Sequence, residues 1–267
     1  MRLVRIAALA LASLIALLSV LGSMLPQFDY CRQDRQNFSA GPSPDHWLGT
    51  DALGRDRLAR LLHGTRISLS LAPAAAALSM MLAFLFGAVP GFAGGAGERA
   101  AKVLIDLMLS IPWLFLLLTV RALLPLNTSP AVSAAITFAM LGLLGWGVPA
   151  RVMLARTRAL RETEFVLSAR AAGISRVRLL SVHVAPNLVP VVAAQFWIAV
   201  PVFILAEANL SLLGLGVSEP IPSLGSLLVE MEGFLSVRGD FCCFAALLVL
   251  LLVIGSLQVV VHEREVS

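Results

Sequence analysis

The sequence predicts an all-α, polytopic membrane protein, on the strength of its composition, the length of its apolar runs and the pattern within them. Of its 267 residues 58% are hydrophobic and 13% charged, at a mean hydropathy of +0.89, far from the mix of a soluble domain. A hydrocarbon core about 30 Å thick takes roughly 20 apolar residues per helix. Six runs approach or meet that length: Ile6 to Leu25, Ile67 to Phe92, Val103 to Leu124, Ala131 to Val148, Leu188 to Ala206 and Phe241 to Val261. None alternates with a period of two, which selects helices over barrel strands.

The first run follows Met1-Arg2-Leu3-Val4-Arg5, a start shared with secretory signal peptides. Its apolar core exceeds the roughly 7 to 15 residues of a signal segment, and no small-x-small cleavage site precedes Pro26, so it is read as a span. Between the first two runs lies a polar segment ending in a candidate amphipathic helix. Leu58, Leu61 and Leu62 fall on one face, Asp56 and Arg60 are spaced to pair, and Gly64 is placed to end it. That helix is expected to lie on the membrane surface. His46 and His63 have no neighbouring ligands at metal-binding spacing, so no metal site is assigned.

The second span carries Pro73 and Pro90, and Gly91, Gly94, Gly95 and Gly97 are expected to turn the chain into the third. There Ser110-Ile111-Pro112-Trp113 should kink the helix at mid-depth and open a polar path. Ser110, Pro112 and Trp113 are therefore candidate pathway residues, together with Gln195 in the fifth span. Asp106 and Arg121, near the two ends of the third span, are expected to reach an interface or cap a neighbouring helix. Cys242 and Cys243 read as small core residues and Cys31 stands alone, so three cysteines give neither a disulfide framework nor a metal set.

Orientation follows from the cations. With six spans and the N-terminus inside, the inner segments hold Arg2, Arg5, Arg99, Lys102, Arg151, Arg156, Arg158, Arg161, Arg170, Arg176, Arg178 and Arg264, twelve of the twenty. The outer segment from Pro26 to Arg66 also carries arginines, but Asp29, Asp34, Asp45, Asp51 and Asp56 offset most of them. Both termini are therefore expected in the cytoplasm. Topology then accounts for the net charge of +4 without nucleic-acid binding.

The loop 151–187 is the chain's largest polar interruption. Within it Phe165, Ala169 and Ala172 share a face of a short helix starting near Glu164, small enough for another protein to approach closely. Gly173 suits a left-handed cap, and a second short helix leads to Pro186. Taken alone, this is equally an ordinary positive-inside loop.

Three ordered motifs resolve that choice by resemblance. Gly173 followed thirteen residues later by Pro186 resembles the cytoplasmic coupling motif of ABC importer permeases, with Leu167-Ser168-Ala169 where that family has Glu-Ala-Ala, and Ala185 where it has Leu. The run His46-Trp47-Leu48-Gly49-Thr50-Asp51 with Gly54-Arg55-Asp56, Arg60 and Arg66-Ile67-Ser68-Leu69 is similar to the signature after the first span of the C-type permeases of dipeptide, oligopeptide and nickel importers. Glu207 to Val217 and Pro220 to Gly225 follow the same subfamily.

The resemblance implies a type I importer permease fold in the inner (plasma) membrane. Residues 1–66 would form an anchor with an external segment, and residues 67–267 the core permease. It implies three kinds of partner: a second permease subunit, two ATPase subunits, and an extracytoplasmic substrate-binding protein. Glu164, Phe165, Ala169, Ala172, Gly173 and Pro186 would couple to the ATPase; His46, Gly49, Thr50, Asp51, Gly54, Arg55 and Asp56 form the external signature. No catalytic residue or cofactor is expected on this chain. Its only lysine, Lys102, follows no glycine-rich phosphate loop. Peptide is the favoured cargo and nickel the alternative. An ion-coupled secondary transporter is the reading from another class, although the chain has no internal repeat or charged mid-membrane pair. An intramembrane hydrolase is disfavoured because His183 and His262 lie outside the spans or at their ends.

Overall fold

The structure is a computed structural model that describes residues 2–123, 129–235 and 241–266. In chain order the helices are α1 (Arg2–Ser23), α2 (Arg57–Ala83), α3 (Val89–Ala93), α4 (Gly95–Ser110), α5 (Trp113–Leu123), α6 (Pro130–Leu144), α7 (Gly147–Arg161), α8 (Glu164–Ala171), α9 (Arg176–Arg178), α10 (Ala185–Leu212), α11 (Leu224–Leu235) and α12 (Ala245–Val266). Among the described residues there is no strand.

Four continuous helical stretches are long and apolar enough to cross a bilayer: Ile6–Ser23, Arg57–Ala93, Pro130–Arg161 and Arg176–Leu212. The pair α4 and α5 is a fifth if its break is crossed as one span; the two halves meet at 80°. This break falls at Ile111-Pro112, where the sequence predicts a kink, because proline lacks the N–H that would continue the ladder. Leu124, the expected end of that span, lies outside the described residues. In the last run α12 covers Ala245–Val266.

Several expected boundaries move. The stretch read as the loop 151–187 is mostly helical, since α7 carries the fourth span on to Arg161 and helix resumes at Arg176. Pro186 does not break the chain, because a π turn at Leu179–Val184 precedes it and widens the helix, Ala185 donating to Leu180 five residues back. Another π turn, Phe84–Ala88, precedes Pro90 in the same way. Nor does a separate surface helix end at Gly64. Instead α2 runs unbroken to Ala83, and a Cβ at Gly64 would stand 3.0 Å from Leu227 and 3.2 Å from the Ser223 backbone. That glycine permits close packing and caps nothing.

The chain packs as two compact units. One comprises Met1–Pro73, Arg121–Phe138 and Val200–Ser267; the other comprises Ala74–Val120 and Ala139–Ala199. In the first unit α1 lies along α12 and α11 also packs on α12. Leu210, Leu224, Leu250 and Val253 are among its buried side chains.

In the second unit α7 lies against the Phe84–Ala88 turn, α3 and α4. The approach is backbone to backbone. Gly87 and Gly91 form a G-x-x-x-G pair, and a Cβ would meet the Ala150 carbonyl at 2.3 Å and the Leu154 carbonyl at 2.9 Å. Phe86 packs on Trp146 with ring centroids 4.8 Å apart.

Candidate functional sites

The predicted external signature folds into a knot at the head of α2. Asp56 caps that helix by accepting the Ala59 N–H at 2.7 Å, and its other oxygen lies 2.8 Å from His46 Nδ1. Thr50 Oγ1 accepts from the Ala40 N–H at 2.9 Å and donates to the Asn37 carbonyl. Asp51 accepts the Leu53 and Arg55 N–H groups, each at 2.8 Å. Gly49 and Gly54 have φ of +72° and +74°, and a Cβ at either would fall within 2.3 Å of a backbone oxygen. All seven residues singled out by resemblance are thus brought together, although the expected Asp56–Arg60 pair does not form. Asp56 is held by His46, and Arg60 turns to other acids.

Those acids complete a five-member ionic network. Arg55 pairs with Asp51 at 2.6 Å and with Glu219 at 2.5 Å; Arg60, with no exposed surface, reaches Glu219 at 3.1 Å and also pairs with Glu230. Nε of Arg60 lies 3.6 Å from Asp51. Burial pushes the Glu219 carboxyl up, but the charges and hydrogen bonds of Arg60 and Arg55 outweigh it and hold its pKa below the ordinary value. For Glu230 burial wins, and its pKa is raised. A cavity of about 480 Å³ opens beside the network, with Arg55 and Glu230 on one side and Leu61, Leu227 and Ala246 among its apolar walls.

Two further buried groups sit near the end of α10. Glu207 is fully buried and caged by Ser211 Oγ at 2.8 Å, Ser223 Oγ at 2.7 Å and the Gly225 N–H at 3.3 Å. Arg121 donates from Nε to the Leu215 carbonyl at 3.0 Å and from Nη2 to Ser133 Oγ at 2.8 Å. It therefore satisfies carbonyls just past the end of α10, the capping role expected of it, but from a buried position. Neither Glu219, Glu230 nor the Glu207 cage was assigned a role from sequence. An ionisable residue in an apolar helix was the available signal for Glu207.

In the second unit, α8 carries the predicted coupling residues. Gly173 has φ of +79° and closes the helix as a Schellman cap, with Ile174 N–H donating to the Ala169 carbonyl at 3.3 Å and Gly173 N–H to Arg170 at 3.1 Å. Val166 is the buried side chain of α8, while Phe165 and Leu167 stand 44% and 50% exposed. Glu164, Ala172 and Gly173 are also exposed, and Ala169 is half-buried. Pro186 lies beyond the π turn, inside the continuous helix. Arg161 is anchored by Glu98 at 2.9 Å and the Gly91 carbonyl at 3.1 Å.

Ser110, Pro112 and Trp113 flank the α4–α5 break, and Ser110 Oγ is turned back to the Asp106 carbonyl at 2.7 Å. Asp106 itself pairs with Arg151. Gln195 is half-buried on α10. Among the described residues, no group of three or more metal-ligating side chains is present.

Comparison with known proteins agrees with the motif reading. A family model described as "Binding-protein-dependent transport system inner membrane component" matches residues 64–266. The oligopeptide transport system permease protein OppC of Mycobacterium tuberculosis strain H37Rv is 34% identical over 254 residues, covering 93% of this chain and 86% of that protein. OppC of Bacillus subtilis is 32% identical over 214 residues, covering 80% and 68%. The dipeptide transport system permease protein DppC of the same organism is 31% identical over 222 residues, covering 81% and 68%. A helical chain with several membrane-length apolar stretches, an ordered signature at the head of α2 and these relatives together establish that the protein belongs to the inner-membrane components of binding-protein-dependent transport systems, as an ABC importer permease of the dipeptide/oligopeptide family.

Proposed function

We propose that this chain forms half of the translocation pathway of an ATP-driven peptide importer and couples to a separate ATPase through α8. The observation that carries the coupling is the face of α8 with exposed Phe165, together with Ala169 and Ala172, presented next to a rigid glycine cap at Gly173. Such a helix can transmit a push without unwinding, and closure of the ATPases would then bias the spans between inward- and outward-open states. Peptide as cargo rests on the names of the relatives; nickel is the alternative within the same subfamily.

The working assembly is a heterodimer of two permeases with two ATPase subunits and an extracytoplasmic binding protein. Its membrane topology has six spans, with α12 as the last, both termini cytoplasmic, the α2 head outside and α8 inside. Reporter fusions after Arg161 should read as cytoplasmic and those after Ala40 as external; the reverse would overturn this arrangement.

Replacing Gly173 with leucine tests the coupling. Open space surrounds the Cβ position, so the direct cost is backbone strain of about 1 kcal/mol. The chain should insert normally while ATPase co-purification and uptake fall, and wild-type values of both would sink the assignment. Uptake assays with labelled peptides and with nickel separate the two cargoes. Uptake driven by an ion gradient in the absence of any ATPase would instead favour a secondary transporter.

A further inference from the structure

We propose that the cavity beneath α8 binds the phosphate headgroup of an anionic membrane lipid. This rests on the reading that α8 lies at the cytoplasmic membrane surface. The cavity, about 240 Å³, has Arg161, Arg170 and Arg176 in its wall and no carboxylate. Arg161 is already neutralised by Glu98 at 2.9 Å. Among the described residues Arg170 and Arg176 make no ion pair and no side-chain hydrogen bond, so two cations border the cavity without a counter-charge.

Three further features select a lipid over a soluble anion or the ATPase. Phe92, Val166 and Leu179 supply apolar wall, which a glycerol backbone and the first methylenes of an acyl chain can cover and inorganic phosphate cannot. Depth agrees as well. Phe92 ends the apolar run Ile67 to Phe92, so that wall of the cavity belongs to a place where a span leaves the hydrocarbon. Basic pockets at that depth are where lipid headgroups are held. Finally, Val166 and Arg170 are one turn apart on α8 and line the cavity, whereas Phe165 and Leu167 are exposed beside them. Phe165, about 100° round the helix from Val166, and the cavity therefore occupy different faces of α8, and an ATPase docked on Phe165 leaves the cavity to the bilayer.

The test uses the assembled transporter, reconstituted in nanodiscs of mixed phosphatidylcholine and phosphatidylglycerol and released for native mass spectrometry of retained lipid. Wild type should retain phosphatidylglycerol in preference to phosphatidylcholine. Combining Arg170→Gln with Arg176→Gln should lower that preference roughly thirtyfold, the scale expected for two juxtamembrane cations. Arg178→Gln removes the same kind of exposed charge from the same segment without touching the cavity wall, and should retain lipid as wild type does.

Unchanged retention in the double variant, or equal loss in Arg178→Gln, would overturn the site. So would inorganic phosphate binding to the delipidated complex that is lost in the double variant, because the occupant would then be soluble. Loss of ATPase subunits from the double variant with lipid retention intact would assign the two arginines to the ATPase contact, overturning the lipid site while leaving coupling through α8 standing. Failure of the Gly173 test alters ATPase recovery alone and is thereby distinguishable.

Discussion

The two units are built from opposite materials. The first buries charge: Arg55, Arg60, Arg121, Asp51 and Glu207 are all inside it, each tied to named partners. In the second, the buried polar side chains among the described residues are Ser79 and Thr157, and its helices are joined by backbone contact at Gly87 and Gly91. Charge networks fix geometry through direction and are costly to leave half-made. Small-residue contacts fix distance alone, leaving rotation about the contact less constrained. A unit proposed to hold an outer platform is thus cross-braced, and the one proposed to receive a mechanical push is held by close sliding surfaces.

Substitutions can break this contrast, in descending order of expected effect. Arg60→Leu should be the most damaging, because it leaves Glu230 with Arg55 alone at 3.9 Å and takes from Glu219 one of its two cations, and losing one partner of a buried ionic group costs about 3–5 kcal/mol. Thermal melting of the purified complex should drop steeply, and a melt within a degree or two of wild type would show that the network is dispensable. Gly87→Ala comes next. Its new Cβ meets the Ala150 backbone oxygen at 2.3 Å, so α7 must move outward, at about 1–3 kcal/mol for overpacking. Cysteine cross-linking between α3 and α7 should report the wider spacing, and unchanged cross-linking would deny that the glycine sets the distance.

The smallest effect is on acid sensitivity. Glu219 has a folded pKa below its ordinary value of 4.5, so it contributes stability above that pH and loses the contribution as pH falls through the lowered folded value. Glu219→Gln should therefore flatten the acid limb of a melting-temperature profile, and an identical limb would remove Glu219 from the network's energetics. Burial gives Glu230 the opposite sign, and it should take up its proton first on acidification.

What could be read from sequence depended on how far apart the interacting residues lie along the chain. The Gly173 cap closes on Ala169 and Arg170, a few residues away, and its left-handed conformation followed directly from the local pattern. The break at Pro112 was equally local. By contrast, the head of α2 was read as a surface helix ending at Gly64, because nothing nearby indicates that Ser223 and Leu227 pack on that glycine. Asp56 and Arg60 had the right spacing to pair, yet stronger partners from distant segments won. The π turns have no local signature: Pro186 reads as a boundary and Pro90 as part of a span, while the chain widened the turn before each and kept the helix.

Sequence separation also sets the order in which these groups find their partners during synthesis. Glu207 meets Ser211, Ser223 and Gly225 within 18 residues, so its cage emerges from the ribosome almost as one piece. Arg60 must wait for Glu219 and Glu230, which follow it by 159 and 170 residues. At roughly 5–20 residues per second that interval is about 8 to 34 seconds, during which α2 is already made and its arginine has Asp51 but neither glutamate. The braced network is therefore among the last parts of the chain to be completed, and a nascent chain truncated before Glu219 carries an arginine at the head of a membrane-length helix with its main counter-charges still unmade.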